Sequence, residues 1–229
     1  MKKLILFDID GTLIGTGGVA MRTLYRALEE LHGPRPEGVA LHPDGKTDPM
    51  IVRELLAGMF PDKEFSMDEC YAVVNRYVEL LPTSLTDEPG YEILPGVQRL
   101  IEKLRDHPGA VQGLGTGNVE AGGRVKLRHG GISDFFPFGG FACDHPVRGE
   151  LIKIGIEKGR KHAGEDIPLE DVFIVGDTPH DISAARYAGA KAIAVATGRH
   201  DADELAAHEP DLVMENLEDL DGFLEFVGL

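Results

Sequence analysis

Basic residues are scarce in this sequence. Its 229 residues hold 23 Lys and Arg against 39 Asp and Glu, a formal net charge of −16. So few cations argue against a sequence-independent nucleic-acid binder, which must displace counterions from phosphates, and against docking on an anionic membrane. Cysteine is nearly absent. Cys70 and Cys143 sit in no metal-ligand spacing and no disulfide framework, so a reducing compartment is the simplest reading. Long apolar runs are missing as well. After Met1-Lys2-Lys3 the run Leu4 to Phe7 is cut short by Asp8, well below the hydrophobic region of a signal peptide. No stretch is long enough to cross a bilayer, and a cytoplasmic location is the expectation. Internal repeats and low-complexity segments are also lacking.

What is present points to an α/β fold. Apolar residues make up 42% of the chain, enough for a sizeable core. Short apolar runs alternate with helical periodicity, the pattern of a parallel sheet with crossover helices. Leu4-Ile5-Leu6-Phe7 reads as a buried strand ending at Asp8, and Val172-Phe173-Ile174-Val175 as another ending at Gly176-Asp177. Val111 to Thr116 is a weaker, Gly-containing strand, and Ala192 to Ala196 and Leu212-Val213-Met214 are two short ones. Val97, Leu100, Ile101 and Leu104 share one helical face, as do Ile182, Ala185 and Ala188, with Gly189 placed to end that helix.

From about Thr16 to Asp87 the pattern changes to helical stripes without a convincing strand. The stripes are Ala20, Leu24, Ala27, Leu28 and Leu31; Ile51, Leu55, Leu56 and Met59; and Cys70, Val73, Val74, Tyr77 and Leu81. The predicted organisation is a doubly wound parallel sheet with helices on both faces, from residues 1–15 and 88–229, carrying a small helical cap, residues 16–87. Gly15-Thr16-Gly17-Gly18 and Asp87-Glu88-Pro89-Gly90 bound the cap as hinge-like segments. A cap entered so early would sit over the end of the first strand.

Asp8-Ile9-Asp10-Gly11-Thr12-Leu13 follows that strand directly. Residues two apart in an extended segment point the same way. Both carboxylates therefore stand at the carboxyl end of a strand, where open α/β sheets bind ligands. One carboxylate can attack phosphorus while the other gives and takes a proton. Gly11 lets the backbone turn and approach a phosphate closely. Gly176-Asp177-Thr178-Pro179-His180-Asp181 closes the second strong strand in the same way. Asp177 is a hard oxygen ligand suited to Mg²⁺, which with Asp8 would make a carboxylate pair around the ion. Such a cation would invert the local field that otherwise repels a phosphate ester from so acidic a protein. Thr116-Gly117-Asn118 offers a hydroxyl and free amides to a phosphoryl oxygen.

On these motifs the chain resembles the haloacid dehalogenase superfamily of phosphatases, in the branch with a helical cap between the first and second motifs that includes phosphoglycolate phosphatase-like enzymes. The first motif, Asp-x-Asp-Gly-Thr-Leu, matches at Asp8 to Leu13; the second at Thr116, Gly117 and Asn118; the fourth at Gly176 to Asp181. The resemblance spans the whole chain. It implies Asp8 as nucleophile and Asp10 as general acid/base. It implies Mg²⁺ held by Asp8, the Asp10 carbonyl and Asp177, with Asp181 in support. Thr116 would bind the phosphoryl group, and Gly11, Thr12, Gly117 and Asn118 are the further substrate contacts expected.

The third motif departs from the family, which usually places a Lys, often followed by Pro, ahead of the strand leading to the fourth motif. The stretch Asp144 to Lys153 contains no Lys-Pro. Arg148 is the favoured source of positive charge, with Lys153 and Lys126 as competitors, and an Arg fork is not equivalent to a Lys point charge. Plainer roles compete elsewhere. Asp181 could be the acidic partner of a capping box begun by Thr178, and Thr116 and Asn118 could cap the next helix. Asp48 before Pro49 reads as an N-cap, and Gly45-Lys46-Thr47-Asp48 is the best candidate on the cap to face substrate. The expected reaction is phosphoryl transfer from a small metabolite to Asp8, then hydrolysis. The alternatives are a phosphomutase and, of another class, a receiver-type domain that accepts phosphate on Asp without turnover. The sequence sets neither the metabolite nor the oligomeric state.

Overall fold

The computed structural model describes residues 2–41, 43 and 45–229. In chain order the first half holds β1 (Lys3–Phe7), β2 (Ile14–Gly15), α1 (Val19–His32), α2 (Asp48–Met59), α3 (Met67–Asp87), β3 (Glu92–Ile93), α4 (Val97–Asp106) and β4 (Ala110–Gly115). The second holds α5 (Glu120–His129), β5 (Gly139–Gly140), α6 (Arg148–Ala163), β6 (Val172–Gly176), α7 (Pro179–Ala188), β7 (Lys191–Val195), α8 (Ala202–Ala206), β8 (Leu212–Met214) and α9 (Leu220–Val227). Six strands form one parallel sheet in the order β5-β4-β1-β6-β7-β8. The chain first builds outward from β1 through β4 to β5, then returns to the other side of β1 with β6. The carboxyl end of β1 is thus the switch point at which such sheets bind ligands.

Both faces of the sheet are covered, which is why its central strands are continuous apolar runs. Successive side chains alternate between faces. Ile5 and Phe7 enter one core with α4 and α9, while Leu4 and Leu6 enter the other with α6 and α7. A third cluster lies among α1, α2 and α3, built on the expected stripes. Leu31 departs from its stripe: it sits on the last turn of α1 and is 49% exposed, whereas its neighbour His32 packs against Phe60 and Phe65.

Two features were not foreseen. Ile14–Gly15 lies antiparallel to Glu92–Ile93, so the chain leaves for α1 and returns from α3 through one short ladder at the edge of the segments read as hinges, of which Gly15 alone is paired in it. The sheet also gains β5, a bare Gly139-Gly140 beside Leu114-Gly115. A Cβ on Gly140 would lie 1.9 Å from the Leu151 carbonyl oxygen, so glycine there lets α6 close on the sheet. Among the described residues no helix is long and apolar enough to cross a membrane.

Candidate active site

Phe7 is in register with Leu114 on one side and Val175 on the other. The residues just beyond these strands therefore arrive side by side, bringing Asp8, Thr116 and Asp177 to one rim. Asp8 is 6% exposed, and against burial, which raises its pKa, Thr116 acts weakly to lower it. Gly11 turns the chain with φ +83°, and a Cβ there would stand 2.3 Å from Asp177 Oδ2. Only glycine meets both demands. Gly198, beyond β7, is equally tight against Asp177, at 1.8 Å for an added Cβ, and the Thr197 hydroxyl donates to the Gly11 carbonyl at 2.6 Å. Sequence reading had not singled out Thr197 or Gly198. Their one signal was position, just past a strand end.

Asp8, Asp177 and Asp181 bring ligand oxygens within 4.8 Å of one another, all of them buried. Burial pushes the Asp8 carboxyl up to about 6; Arg148 opposes that rise, and Asp181 and Asp10 add to it. Burial also raises Asp177 well above the usual carboxylate range, with Asp181 and Asp8 reinforcing it. Among the described residues only the Arg148 guanidinium forms an ion pair with this cluster, Nη2 lying 3.0 Å from Asp8 Oδ1 and 2.5 Å from Asp181 Oδ1. One guanidinium for three carboxylates leaves the cluster short of positive charge. The donor set is entirely oxygen, so the residues fit a hard divalent cation such as Mg²⁺.

The three basic candidates go to different places. Arg148, the first residue of α6, meets Asp8 as described. Lys153 is 43% exposed and reaches Glu150 at 3.4 Å. Lys126 is buried, with Nζ 2.8 and 2.6 Å from the two Asp10 carboxylate oxygens and 2.7 Å from Asn118 Oδ1. Burial works against the Lys126 charge, but Asp10, Tyr77 and Asp48 outweigh it and hold its pKa above the ordinary lysine value. Lys126→Met should therefore lower stability by roughly 2–3 kcal/mol, less than a fully buried pair because Asp10 is 38% exposed. Urea denaturation of the variant checks this. An unshifted midpoint would mean that these carboxylates find other partners.

Asp181 does two jobs. Its Oδ2 closes the capping box by accepting from the Thr178 N–H at 3.2 Å and also accepts from the Thr178 hydroxyl at 2.6 Å, and its Oδ1 accepts from Arg148 Nε at 3.1 Å and Nη2 at 2.5 Å. Both oxygens thus have partners within the protein, while the carboxylate still lies in the group with Asp8 and Asp177. Two residues expected to touch substrate have partners within the protein, and Asn118 also lines the cavity beside Asp8 and Asp10. Thr12 is fully buried and donates to Asp177 Oδ1 at 3.2 Å. Asn118 donates to Asp10 Oδ2 at 2.8 Å and to Thr116 Oγ1 at 2.9 Å. Buried polar groups must find partners, and these side chains find them inside the protein. Neither Thr116 nor Asn118 caps α5, whose N-cap is Val119 without a side-chain bond from its own segment.

That cap comes from the helical segment. Asp48 is the first residue of α2, not its N-cap, which is Thr47. Its buried carboxylate instead accepts from the Val119 N–H at 2.8 Å, while its own N–H donates to the Gly117 carbonyl at 2.8 Å. A Cβ on Gly117 would lie 2.2 Å from the Lys46 carbonyl oxygen, so the loop before α2 is seated directly on the Thr116-Gly117-Asn118 turn. Together they enclose a cavity of about 190 Å³ that reaches Asp8, Asp10 and Asp177, with Gly45, Lys46 and Asp48 in its wall.

Comparison with known proteins agrees with this architecture. Residues 152–220 match a family described as HAD-hydrolase-like. A probable phosphatase, IndB of Dickeya dadantii, is 27% identical over 100% of this chain and 93% of its own. Phosphoglycolate phosphatase 1 of Pseudomonas aeruginosa is 27% identical over 96% of this chain and 79% of its own. The crystal structure of CbbY from Rhodobacter sphaeroides in complex with phosphate shares the fold, with a TM-score of 0.73 at 18% identity and full coverage of both chains. The chain is thus similar to HAD-like hydrolases over residues 152–220 and, along its length, to phosphatases that include the phosphoglycolate phosphatases.

Proposed function

We propose that the enzyme is a Mg²⁺-dependent phosphatase that moves the phosphoryl group of a small phosphorylated metabolite first to Asp8 and then to water. The observation that carries this reading is the buried cluster of Asp8, Asp177 and Asp181 with a single guanidinium. Asp8, Asp177 and the Asp10 carbonyl are the proposed metal ligands, with Asp181 behind them. When bound, the cation supplies the positive charge that lets a dianionic ester approach these carboxylates.

In the first step an Asp8 carboxylate oxygen attacks phosphorus, the bond from phosphorus to the alcohol oxygen breaks, and Asp10 gives that oxygen a proton. Arg148 neutralises charge on Asp8 and on the phosphoryl group as it transfers. In the second step Asp10 takes a proton from water, whose oxygen attacks phosphorus and frees Asp8. Lys126 and Asn118 hold the Asp10 carboxylate between them. Helices α1–α3, the proposed cap, exclude bulk water during transfer, with Asp48 on the Val119 N–H as a point of docking. The proposed setting is the cytoplasm, in keeping with free Cys70 and Cys143.

Chelation is expected to abolish release of inorganic phosphate from phosphomonoesters, and added Mg²⁺ to restore it. Full activity in excess chelator would contradict the reading. Measuring free phosphate also separates this enzyme from a phosphomutase, which returns the group to its sugar.

A further inference from the structure

We propose that the alcohol released by this enzyme is small, uncharged and apolar, so that esters whose leaving group carries a second anion, phosphoglycolate and pyrophosphate among them, are poor substrates. This deepens the phosphatase reading and rests on it.

The helical wall of the cavity is mostly hydrocarbon: Ala20, Met21 and Leu24 of α1 and Ile51 of α2 line it, with Tyr77 of α3 and the Asp48 carboxylate as its polar members. Leu24 and Ile51 are 3% and 5% exposed, so they form a fixed apolar surface. The charges that reach the same cavity are already engaged. Among the described lining residues the cations are Lys46, Lys126 and Arg148. Lys46 Nζ lies 2.6 Å from Glu54 Oε2, Lys126 grips Asp10, and Arg148 spans Asp8, Asp181 and the Gly45 carbonyl. The transferring phosphoryl group itself needs Arg148. A carboxylate or second phosphate on the leaving group would then meet this apolar wall and the Asp48 carboxylate, with no cation among the described lining residues that is not already paired. An anion desolvated without a partner is strongly disfavoured. An alcohol with an apolar body loses only water and gains contact with the wall. The cavity, about 190 Å³, is below the roughly 300–1,000 Å³ of most small-molecule sites, which restricts the alcohol to a few carbon atoms.

The test compares initial rates on propyl phosphate, phosphoglycolate and pyrophosphate with Mg²⁺ present, for the parent enzyme and for Met21→Lys. Met21 is half-buried on α1, where a lysine can reach the cavity. The parent should show kcat/KM for propyl phosphate at least about tenfold above either competitor with a second anionic group, the scale of discrimination by one pocket feature. Met21→Lys should shift the ratio of phosphoglycolate to propyl phosphate upward by about tenfold or more. Phosphoglycolate or pyrophosphate turned over as fast as propyl phosphate by the parent would overturn the inference while leaving the phosphatase reading intact. A ratio unmoved by Met21→Lys would overturn it too, by removing α1 from the leaving-group site. No turnover of any ester, an aryl phosphate included, would sink the phosphatase reading and this inference with it.

Discussion

Asp8→Asn is expected to remove activity toward every phosphoester, by on the order of 10⁴-fold or more, the scale of losing a covalent nucleophile. The amide has nearly the same shape but cannot accept the phosphoryl group. Folding does not confound the result. Burial already pushes the Asp8 carboxyl up to about 6, so in the metal-free protein its charge costs stability, and a neutral amide relieves that cost. Arg148 keeps its partner Asp181. The variant should unfold at a denaturant concentration no lower than the parent, and steady-state phosphate release at high enzyme concentration measures the residual rate. A variant within tenfold of the parent would place the chemistry on another group.

Arg148→Ala carries the second largest effect. Its guanidinium is the cation that touches Asp8, and it does so from a 9% exposed side chain. Removing a preorganised electrostatic contact of this kind costs roughly 10²–10³ in turnover. The same change strands Asp8 and Asp181 as buried anions, at roughly 3–5 kcal/mol of stability. Arg148→Lys separates the two effects. It keeps the charge but loses the fork that serves Asp8, Asp181 and the Gly45 carbonyl together, so it should fold and retain intermediate activity. Lys153→Ala, on an exposed lysine paired with Glu150, should stay within a few tenths of a kcal/mol of the parent in stability and turn over at the parent's rate. If the lysine variant were the damaged one, the third motif would have to be moved.

The strands and motifs were legible because their signals are local. A buried parallel strand is a run of apolar residues, and the Asp, Gly and Thr beyond it are a turn, so Asp8, Thr116 and Asp177 could be placed at strand ends from their neighbours alone. The capping role of Asp181 was legible for the same reason, since Thr178 is three residues away. The illegible contacts join segments that are distant in sequence. Lys126 is 116 residues from Asp10, and Asp48 is 71 residues from Val119. Nothing in the residues flanking Lys126 distinguishes a lysine buried on a carboxylate from one in solvent. Asp48 followed by Pro49 gave a sound local signal for a helix start, yet the carboxylate serves the start of a different helix. The two-residue strands β2, β3 and β5 are too short to show alternation, and Gly139-Gly140 has no side chains to alternate.

The covalent intermediate on Asp8 is most directly tested with Asp10→Asn. This variant keeps the nucleophile and removes the proton donor and later base. An aryl phosphate has a good leaving group, so transfer to Asp8 needs little acid help, whereas hydrolysis still needs a base for water. Incubation of the variant with Mg²⁺ and an aryl phosphate, a rapid acid quench and intact-mass measurement should reveal one added phosphoryl group, mapped by peptide analysis to Asp8. The double variant Asp8→Asn, Asp10→Asn should show none. An adduct that survives Asp8→Asn, or that maps to another residue, would contradict the account.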